Sequence, residues 1–268
     1  MFPQVQLWED EVDGAELLGQ IESIIDRHIV CEPHTTTATA LWIMFTWCID
    51  AFQIAPIACI TAPEKRCGKT QLLTVIGKLC YRPLPVANIT AAAAFRAIDE
   101  WHPTLLVDEY DTFIKDNDDL RGIFNAGHGR ENAFVIRTTG EDHKPTKFNV
   151  WSAKALSGIG HLPDTLKDRS IILELRRKQK DEVRQRLRNA DQSEFEQIKQ
   201  KLARWTQDNI QHIQDVTPNL PNELNDRSQD NWESLLTIAD LLGTSIGAKA
   251  RRASLEISGV EQNTLSTN

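Results

Sequence analysis

Residues 63–70, PEKRCGKT, are the part of this chain whose residue types and spacing are most typical of a chemical site. The segment fits the phosphate-loop pattern GxxxxGK[ST], except that proline replaces the first glycine. Backbone N–H groups of such a loop, together with the positive N-terminus of the following helix, bind polyphosphate. The alternative is a chance GKT sequence on a surface turn. The candidate binding residues are Pro63, Glu64, Lys65, Arg66, Cys67, Gly68, Lys69 and Thr70.

Three residues of this loop have distinct expected roles. Gly68 permits close approach of the backbone to a ligand, and Lys69 can reach the β- and γ-phosphates of a nucleotide. Thr70 can ligate Mg²⁺. A buried strand before the loop and a helix after it are the context that the pattern requires, and the sequence predicts both.

Two acidic residues follow an apolar segment further along the chain. Residues 105–107 are predicted to form a buried strand, which ends at Asp108 and Glu109. Asp108 can hold the Mg²⁺ shell together with Thr70. Glu109 can accept a proton from an attacking water molecule. Either acid alone could merely cap a strand, but their combination with the GKT loop favours hydrolysis over passive binding.

Arg169 lies between a predicted short helix and a predicted strand. Ring-forming ATPases place an arginine finger at this position, where it reaches the γ-phosphate bound to a neighbouring subunit. Such a charge stabilises the transition state only when subunits assemble. The alternative is a surface ion pair between Arg169 and Asp164 or Asp168.

The elements that must position these residues follow from hydrophobic periodicity. Apolar residues at helical spacing predict helices over residues 5–30 and 35–52, a further helix over 69–79, and helical structure from Lys180 onward. Strands that alternate with helices, followed by a helical tail, indicate an α/β core with a small helical lid. The predicted strands are 57–60, 105–107, 133–137, 147–151, 155–156 and 171–175.

Four parts are therefore expected along the chain. Residues 1–53 form an N-terminal helical segment packed on the core, and residues 54–178 form the α/β core. Residues 179–256 form the C-terminal helical lid, and residues 257–268 form a flexible tail.

The overall composition excludes several classes of protein. The chain has 268 residues, of which 41% are hydrophobic and 25% charged, and this excludes a wholly disordered chain. The net charge of -8 argues against a general nucleic-acid coat but leaves a local basic surface open. The longest apolar run, residues 38–60, is interrupted too often for a membrane span, so no membrane partner is expected. Five cysteines without a CxxC pair argue against a disulfide framework or a zinc site and predict a cytoplasmic protein.

Several segments together resemble one known family. Over residues 5–242 the chain resembles the AAA+ ATPase domain of primase-helicase-like proteins of phages, plasmids and staphylococcal cassette elements. The nearest relatives of that family are the MCM replicative helicases. The segments that carry the resemblance are VDGAELL at 12–18, ALW at 40–42, TAPEKRCGKT at 61–70, PTLLVDE at 103–109, NAGH at 125–128, LPDT at 162–165, DRS at 168–170 and NWE at 231–233.

The resemblance implies an AAA+ P-loop NTPase core that binds ATP and Mg²⁺ and assembles into a homo-oligomeric ring, with a hexamer expected. Lys69, Thr70, Asp108 and Glu109 then take the ATPase roles of the family, and Arg169 matches the trans-acting arginine. Ser157 would be the polar sensor, with a small buried residue as the alternative. Arg227 would be the second sensor arginine, with Arg251 and Arg252 as the alternatives.

The same resemblance implies contact with DNA through the predicted hairpin. The hairpin would enter the central pore of the ring and bind DNA phosphates. Lys144 is the first candidate, followed by Lys147 and His143; the alternative is a solvated turn. The basic stretch 176–188 is more typical of a solvated helix face.

The leading hypothesis is an ATP-hydrolysing, ring-forming motor that acts on DNA, with single strands preferred, in the replication or maintenance of a mobile element. A loading or primase protein would be a possible partner. A hypothesis from another class is an ATP-gated oligomeric assembly or regulatory module, such as a defence or effector subunit, with slow hydrolysis and no translocation. A third is a degenerate nucleotide-binding fold.

Overall fold

A computed structural model describes residues 2–112, 114, 117–160 and 162–259 of the chain. Helices and strands alternate through the first two thirds of it, and helices follow. The helices are α1 (Gly14–His28), α2 (Pro33–Trp47), α3 (Lys69–Leu79), α4 (Ala91–Trp101), α5 (Asp118–Ala126), α6 (Asp164–Lys167), α7 (Gln192–Asp215), α8 (Asp226–Leu241) and α9 (Thr244–Ile257). The strands are β1 (Ile57–Thr61), β2 (Pro83–Val86), β3 (Thr104–Val107), β4 (Phe134–Thr139), β5 (Lys144–Asn149), β6 (Lys154–Ser157) and β7 (Ser170–Glu174).

Five of the strands form a parallel sheet in the order β2-β3-β6-β1-β7. Every residue of β3 and β6 is buried, as is most of β1, which is typical of parallel strands covered on both faces. Because all five strands are parallel, their C-terminal ends share one edge, the carboxyl edge, and their N-terminal ends share the opposite, amino edge. The predicted α/β class is thus confirmed, with a parallel sheet flanked by helices.

Helix α2 is the centre of the helical layer. Its residues from Thr35 to Thr46 are all buried, which fits a helix that is apolar on all sides. The indole of Trp42 donates to the main-chain oxygen of Pro56 at 2.9 Å and so links α2 to the chain entering β1. Helices α1, α8 and α9 all pack against α2, so the N-terminal and C-terminal helices share one layer.

Two of the predicted helices begin later than expected. Helix α1 begins at Gly14, because the Asp13 carboxylate caps it by accepting from the N–H groups of Ala15 and Glu16. The prediction of helix from Lys180 onward was wrong over residues 180–191, where a short 3₁₀ turn, Leu187–Asn189, is the sole helical element. Helix α7 begins at Gln192 after the N-cap Asp191.

The sequence did not predict the edge strand β2. Two of its four residues, Pro83 and Pro85, are prolines, which are tolerated at a sheet edge because one side of the strand needs no partner. The hairpin is confirmed: β4 and β5 pair antiparallel. The predicted tail lies outside the described residues from position 260, whereas α9 extends to Ile257. No helix in the described part of the chain combines the length and apolarity needed to cross a membrane.

Candidate functional site

Strand β1 leads through residues 62–68 directly into α3, as the phosphate-loop pattern predicted. Gly68 is the residue before the helix, and its φ of 89° lies in the left-handed region that glycine adopts without penalty. No side chain caps this end of α3, so its first N–H groups have no side-chain acceptor. A helix N-terminus of this kind, at the end of a central parallel strand, attracts anions.

The loop itself is exposed but internally braced. Residues 63–66 are exposed and Cys67 is buried. The ammonium group of Lys69 donates to the main-chain oxygen of Glu64 at 3.3 Å, which closes the loop across its width. Arg177 binds the Glu64 carboxylate at 3.2 Å. The negative charge within the loop is therefore paired, whereas Lys69 has a neutral partner.

A cavity of about 510 Å³ opens beside the loop, within the size range of nucleotide-sized ligand sites. None of the described residues that line it is acidic. A cavity walled by positive charge raises the local concentration of polyphosphate anions. The cationic residues that line it are Arg66, Lys69, Lys178, Arg184 and Arg186.

Besides the loop, the cavity is lined by a wall of residues 28–30, at the C-terminal end of α1, and residues 184–186, after β7. Arg184 donates to the main-chain oxygen of Ile29 at 3.0 Å, and the N–H of Gln185 donates to the main-chain oxygen of Arg27 at 2.9 Å. His28 is buried; its Nδ1 lies 3.0 Å from the main-chain oxygen of Gln185, while its Nε2 has no partner among the described residues. In the neutral ring Nε2 is then a buried acceptor without a hydrogen-bond partner among the described residues.

Sequence reasoning missed this wall. The basic stretch 176–188 was expected to be a solvated helix face. Most of its residues are exposed, but the prediction of a helix was wrong, because residues 184 and 185 bond to the end of α1 instead. The density of arginine and lysine was the available signal. The contact that brings these cations to the loop joins residues more than a hundred positions apart, which no local pattern reveals.

Asp108 and Glu109 lie at the carboxyl edge together with the loop. Strand β6 separates β1 from β3, and the register places Ile60 level with Ser157 and Val107 level with Leu156. Two strand spacings, about 10 Å, therefore separate the acids from the end of β1. Asp108 is half-buried and Glu109 is exposed.

Glu109 has an unusual backbone conformation for a glutamate, with φ of 54°. Its main-chain oxygen accepts from both the N–H and the hydroxyl of Thr112, at 2.9 and 2.8 Å. Its own N–H donates to the Asp108 carboxylate at 3.0 Å. Residues held in such sparsely populated conformations cluster at functional sites.

Ser157 ends β6, between the loop strand β1 and the acidic strand β3. Its side chain is fully buried, and its hydroxyl has no hydrogen-bond partner among the described residues. The N–H of Gly158 donates to Ile60 at 3.2 Å, which ties this strand end to β1. An unpaired buried hydroxyl costs about 1–3 kcal/mol. Ser157 is thus a small buried residue between the two halves of the site, and its role as a sensor stays a prediction.

Arg169 lies at the other end of the sheet. Its main-chain oxygen accepts from the N–H of Ile57, the first residue of β1, at 3.0 Å. At about 3.3 Å per residue, the length of β1 separates the main chain of Arg169 from the loop of its own chain by about 13 Å. The guanidinium donates to the main-chain oxygen of Thr165 at 2.7 Å, and the alternative of an ion pair with Asp164 or Asp168 is not observed among these described residues.

Arg227 lies at the amino edge beside Arg169. Its Nε is 3.2 Å from Oδ2 of Asp168, and its Nη1 is 3.5 Å from Asp230. The structure therefore does not bring Arg227 to the phosphate loop of its own chain. Of the alternatives, Arg251 forms a bidentate pair with Asp240 at 2.8 and 2.6 Å.

The hairpin carries the three predicted DNA-binding residues near its tip. Lys144 is 3.1 Å from the Asp142 carboxylate, and His143 has a φ of 50°. Lys147 lies over the ring of Phe134 at 3.9 Å and is directly opposite Ile136, which is 58% exposed. The exposed face of the hairpin is therefore a mixture of positive and apolar groups, while two acids, Glu141 and Asp142, precede Lys144.

Comparison with protein families matches residues 174–267 to a family described as a protein of unknown function (DUF3631). The match covers about a third of the chain, from the end of β7 through α9, and does not include the loop or the acids. No match to a curated protein was found.

Proposed function

We propose that this protein is an ATP-hydrolysing, ring-forming motor of the AAA+ type that acts on DNA. The observation that carries the proposal is that three features lie at one edge of the sheet. They are the uncapped N-terminus of α3 with Gly68 and Lys69, the cation-lined cavity beside it, and the pair Asp108 and Glu109 two strand spacings away. The resemblance of the sequence to primase-helicase-like ATPases supports the same conclusion.

In this proposal the polyphosphate of ATP binds to residues 63–70 and the N-terminus of α3. The adenine base and the ribose occupy the part of the cavity formed by residues 28–30 and 184–186. The choice of ATP over GTP in this proposal rests on the resemblance of the sequence to primase-helicase-like ATPases.

Thr70 and Asp108 would hold Mg²⁺. Magnesium takes one or two protein oxygens and completes its shell with phosphate and water. Thr70, in the first turn of α3, and Asp108, after β3, would supply these two oxygens at the carboxyl edge of the sheet. When bound, the ion neutralises charge on the phosphates.

The hydrolytic step uses groups of two subunits. Glu109 accepts a proton from water, whose oxygen bonds to the γ-phosphorus as the bond to the ADP oxygen breaks. Lys69 stabilises the negative charge on the transferred group. Arg169 and Arg227 lie at the amino edge, so they reach a nucleotide only when that edge packs against the loop of a neighbour. Head-to-tail contacts of this kind close into rings.

Loss of the Lys69 charge is expected to weaken binding of ATP. Lys69→Ala removes a charge-assisted hydrogen bond, which raises the Kd for Mg-ATP by about 10- to 100-fold. Titration with a fluorescent ATP analogue measures the effect. Lys78→Ala, at the far end of the same helix, where Lys78 contacts Gln192, is the matched control. Equal affinity of the Lys69 variant and the wild type would contradict the proposed site.

A specific observation also favours the second candidate, an ATP-gated assembly module without translocation. The hairpin tip carries Glu141 and Asp142, and the Asp142 carboxylate pairs with Lys144. Such a tip is a weak ligand for DNA phosphates, because like charges repel. Steady-state ATP hydrolysis with and without single-stranded DNA distinguishes the two candidates, since only the motor is stimulated.

Removal of the hairpin lysines is expected to abolish the DNA-stimulated part of the ATP hydrolysis rate and to leave the basal rate unchanged. In the motor, the double variant Lys144→Ala/Lys147→Ala loses stimulation by single-stranded DNA and keeps its basal rate, because two phosphate contacts are lost. The measurement is the rate against DNA concentration at two salt concentrations. Lys201→Ala, on α7, is the control. Stimulation that persists in the hairpin variant would place DNA binding elsewhere.

A further inference from the structure

The main chain that carries Arg169 is bonded to a buried amide of α8. The side chain of Asn231 is 4% exposed. Its Oδ1 lies 2.8 Å from Nε2 of His128, and its Nδ2 donates to the main-chain oxygen of Asp168 at 3.0 Å. Asp168 is the residue immediately before Arg169, so this amide bridges the end of α5 and the start of β7.

The orientation of the amide has a single solution. Burial lowers the pKa of His128 to about 4, so the imidazole is neutral near pH 7. Because Oδ1 of Asn231 can only accept, the ring proton is on Nε2. A flipped amide would place two acceptors together at Asp168. The main-chain oxygen of Asp168 therefore sets the orientation of Asn231, and the neutral ring of His128 adopts the matching tautomer.

Helix α8 also binds the side chain of Asp168, through Arg227 at 3.2 Å. On the other side, Arg169 donates to Thr165 of α6, and the Thr165 hydroxyl accepts from Asn125 of α5 at 3.2 Å. The segment before Arg169 is thus held between α5 and α8. Of these contacts, the bond from Asn231 is the one that a side chain makes to the main-chain oxygen next to Arg169. The N–H and main-chain oxygen of Arg169 itself bond to Leu166 and Ile57, at 3.1 and 3.0 Å.

We propose that Asn231 is a positioning residue for Arg169, which it aims at the nucleotide of a neighbouring subunit through the main-chain oxygen of Asp168. The inference rests on the proposed function, in which Arg169 acts on the ATP of a neighbour. It assigns to α8 the task of coupling the C-terminal helices to the active site across the interface. Asn231 touches neither nucleotide, so its effect depends on which subunit carries it.

A mixing experiment isolates this dependence. Glu109→Gln chains keep Arg169 but lack the base, and Arg169→Ala chains keep the base but lack the finger. In rings formed from equal amounts, about a quarter of the interfaces pair an intact finger with an intact site, so about a quarter of the wild-type rate should return. This recovered rate of ATP hydrolysis is the quantity to be measured.

Asn231→Asp is then added to one chain at a time. The substitution keeps an oxygen towards His128, replaces the donor to Asp168 by an acceptor and adds a negative charge, with almost no change of shape. In the Glu109→Gln chain, which supplies the finger, we expect the recovered rate to fall by at least about tenfold, because small misplacements of a catalytic group have large effects. In the Arg169→Ala chain we expect the rate to change by less than about twofold.

The control is Ser234→Ala in the Glu109→Gln chain, since Ser234 is buried on the same helix and its hydroxyl has no partner among the described residues. An equal loss from Asn231→Asp in either chain would indicate general destabilisation and would overturn the inference. A recovered rate of ATP hydrolysis that Asn231→Asp leaves unchanged in both chains would also overturn the inference, but it would leave the proposed function intact. No recovery in the parent mixture would contradict the trans action of Arg169, and the inference with it.

Discussion

Replacement of Arg169 by alanine is expected to lower kcat for ATP hydrolysis by about 10³- to 10⁵-fold, the range typical of arginine fingers. The physical reason is the position of Arg169 at the amino edge, at the opposite end of β1 from the loop of its own chain. Its charge is therefore expected to stabilise the transition state on a neighbour and to contribute little to ATP binding within its own subunit. We expect the Kd for ATP to change by less than about threefold.

The measurement is kcat and Kd determined separately, at several protein concentrations. Wild-type activity per subunit should rise with concentration as the ring assembles, and the Arg169→Ala activity should stay low throughout. Arg188→Ala, an exposed arginine in the 3₁₀ turn before α7, serves as the control for loss of one positive charge. A parallel loss of affinity and rate in the Arg169 variant would argue that the residue acts within its own subunit.

The substitution Glu109→Gln is expected to lower kcat by about 10²- to 10⁴-fold while ATP binding is retained. Glutamine has the shape of glutamate but cannot accept the proton of the attacking water. The backbone of Glu109 is fixed by the two bonds from Thr112, so the variant side chain should occupy the same place. Single-turnover hydrolysis and ATP titration together separate the chemical step from binding.

Glu131→Gln provides the matched control, because Glu131 is an exposed glutamate in the turn before β4. A Glu109→Gln protein that hydrolyses ATP at the wild-type rate would remove Glu109 from the mechanism. An alternative base at the carboxyl edge would then have to be sought, with Asp108 as the first candidate. Loss of ATP binding in this variant would instead indicate a structural role for the carboxylate.

Much of the site follows from short stretches of sequence. The loop at 63–70 requires a glycine before the helix, and Gly68 has the left-handed conformation that explains it. Residues 105–107 are buried as expected, and the acids after them lie at the strand end. The hairpin was also predicted, because alternation and turn residues are local signals. The ATPase roles themselves remain predictions.

Other parts of the site depend on contacts between distant segments. The strand order places β6 between β1 and β3, and only this order sets Ser157 between the loop and the acids. Arg184 reaches the cavity because residues 184 and 185 bond to the end of α1. Arg227 was expected at the nucleotide, but its ion pair with Asp168 holds it at the amino edge.

The chain by itself determines the elements that carry chemistry, since a turn, a cap or a buried strand is specified by residues within a few positions of one another. The tertiary structure alone decides which of these elements meet. The His128–Asn231 pair illustrates the reason: each residue lies in a short recognisable segment, NAGH or NWE, but nothing in either segment indicates that the two side chains meet. They are joined because burial excludes water and leaves each as the available partner of the other. Such pairing is a property of the packed interior, to which every part of the chain contributes.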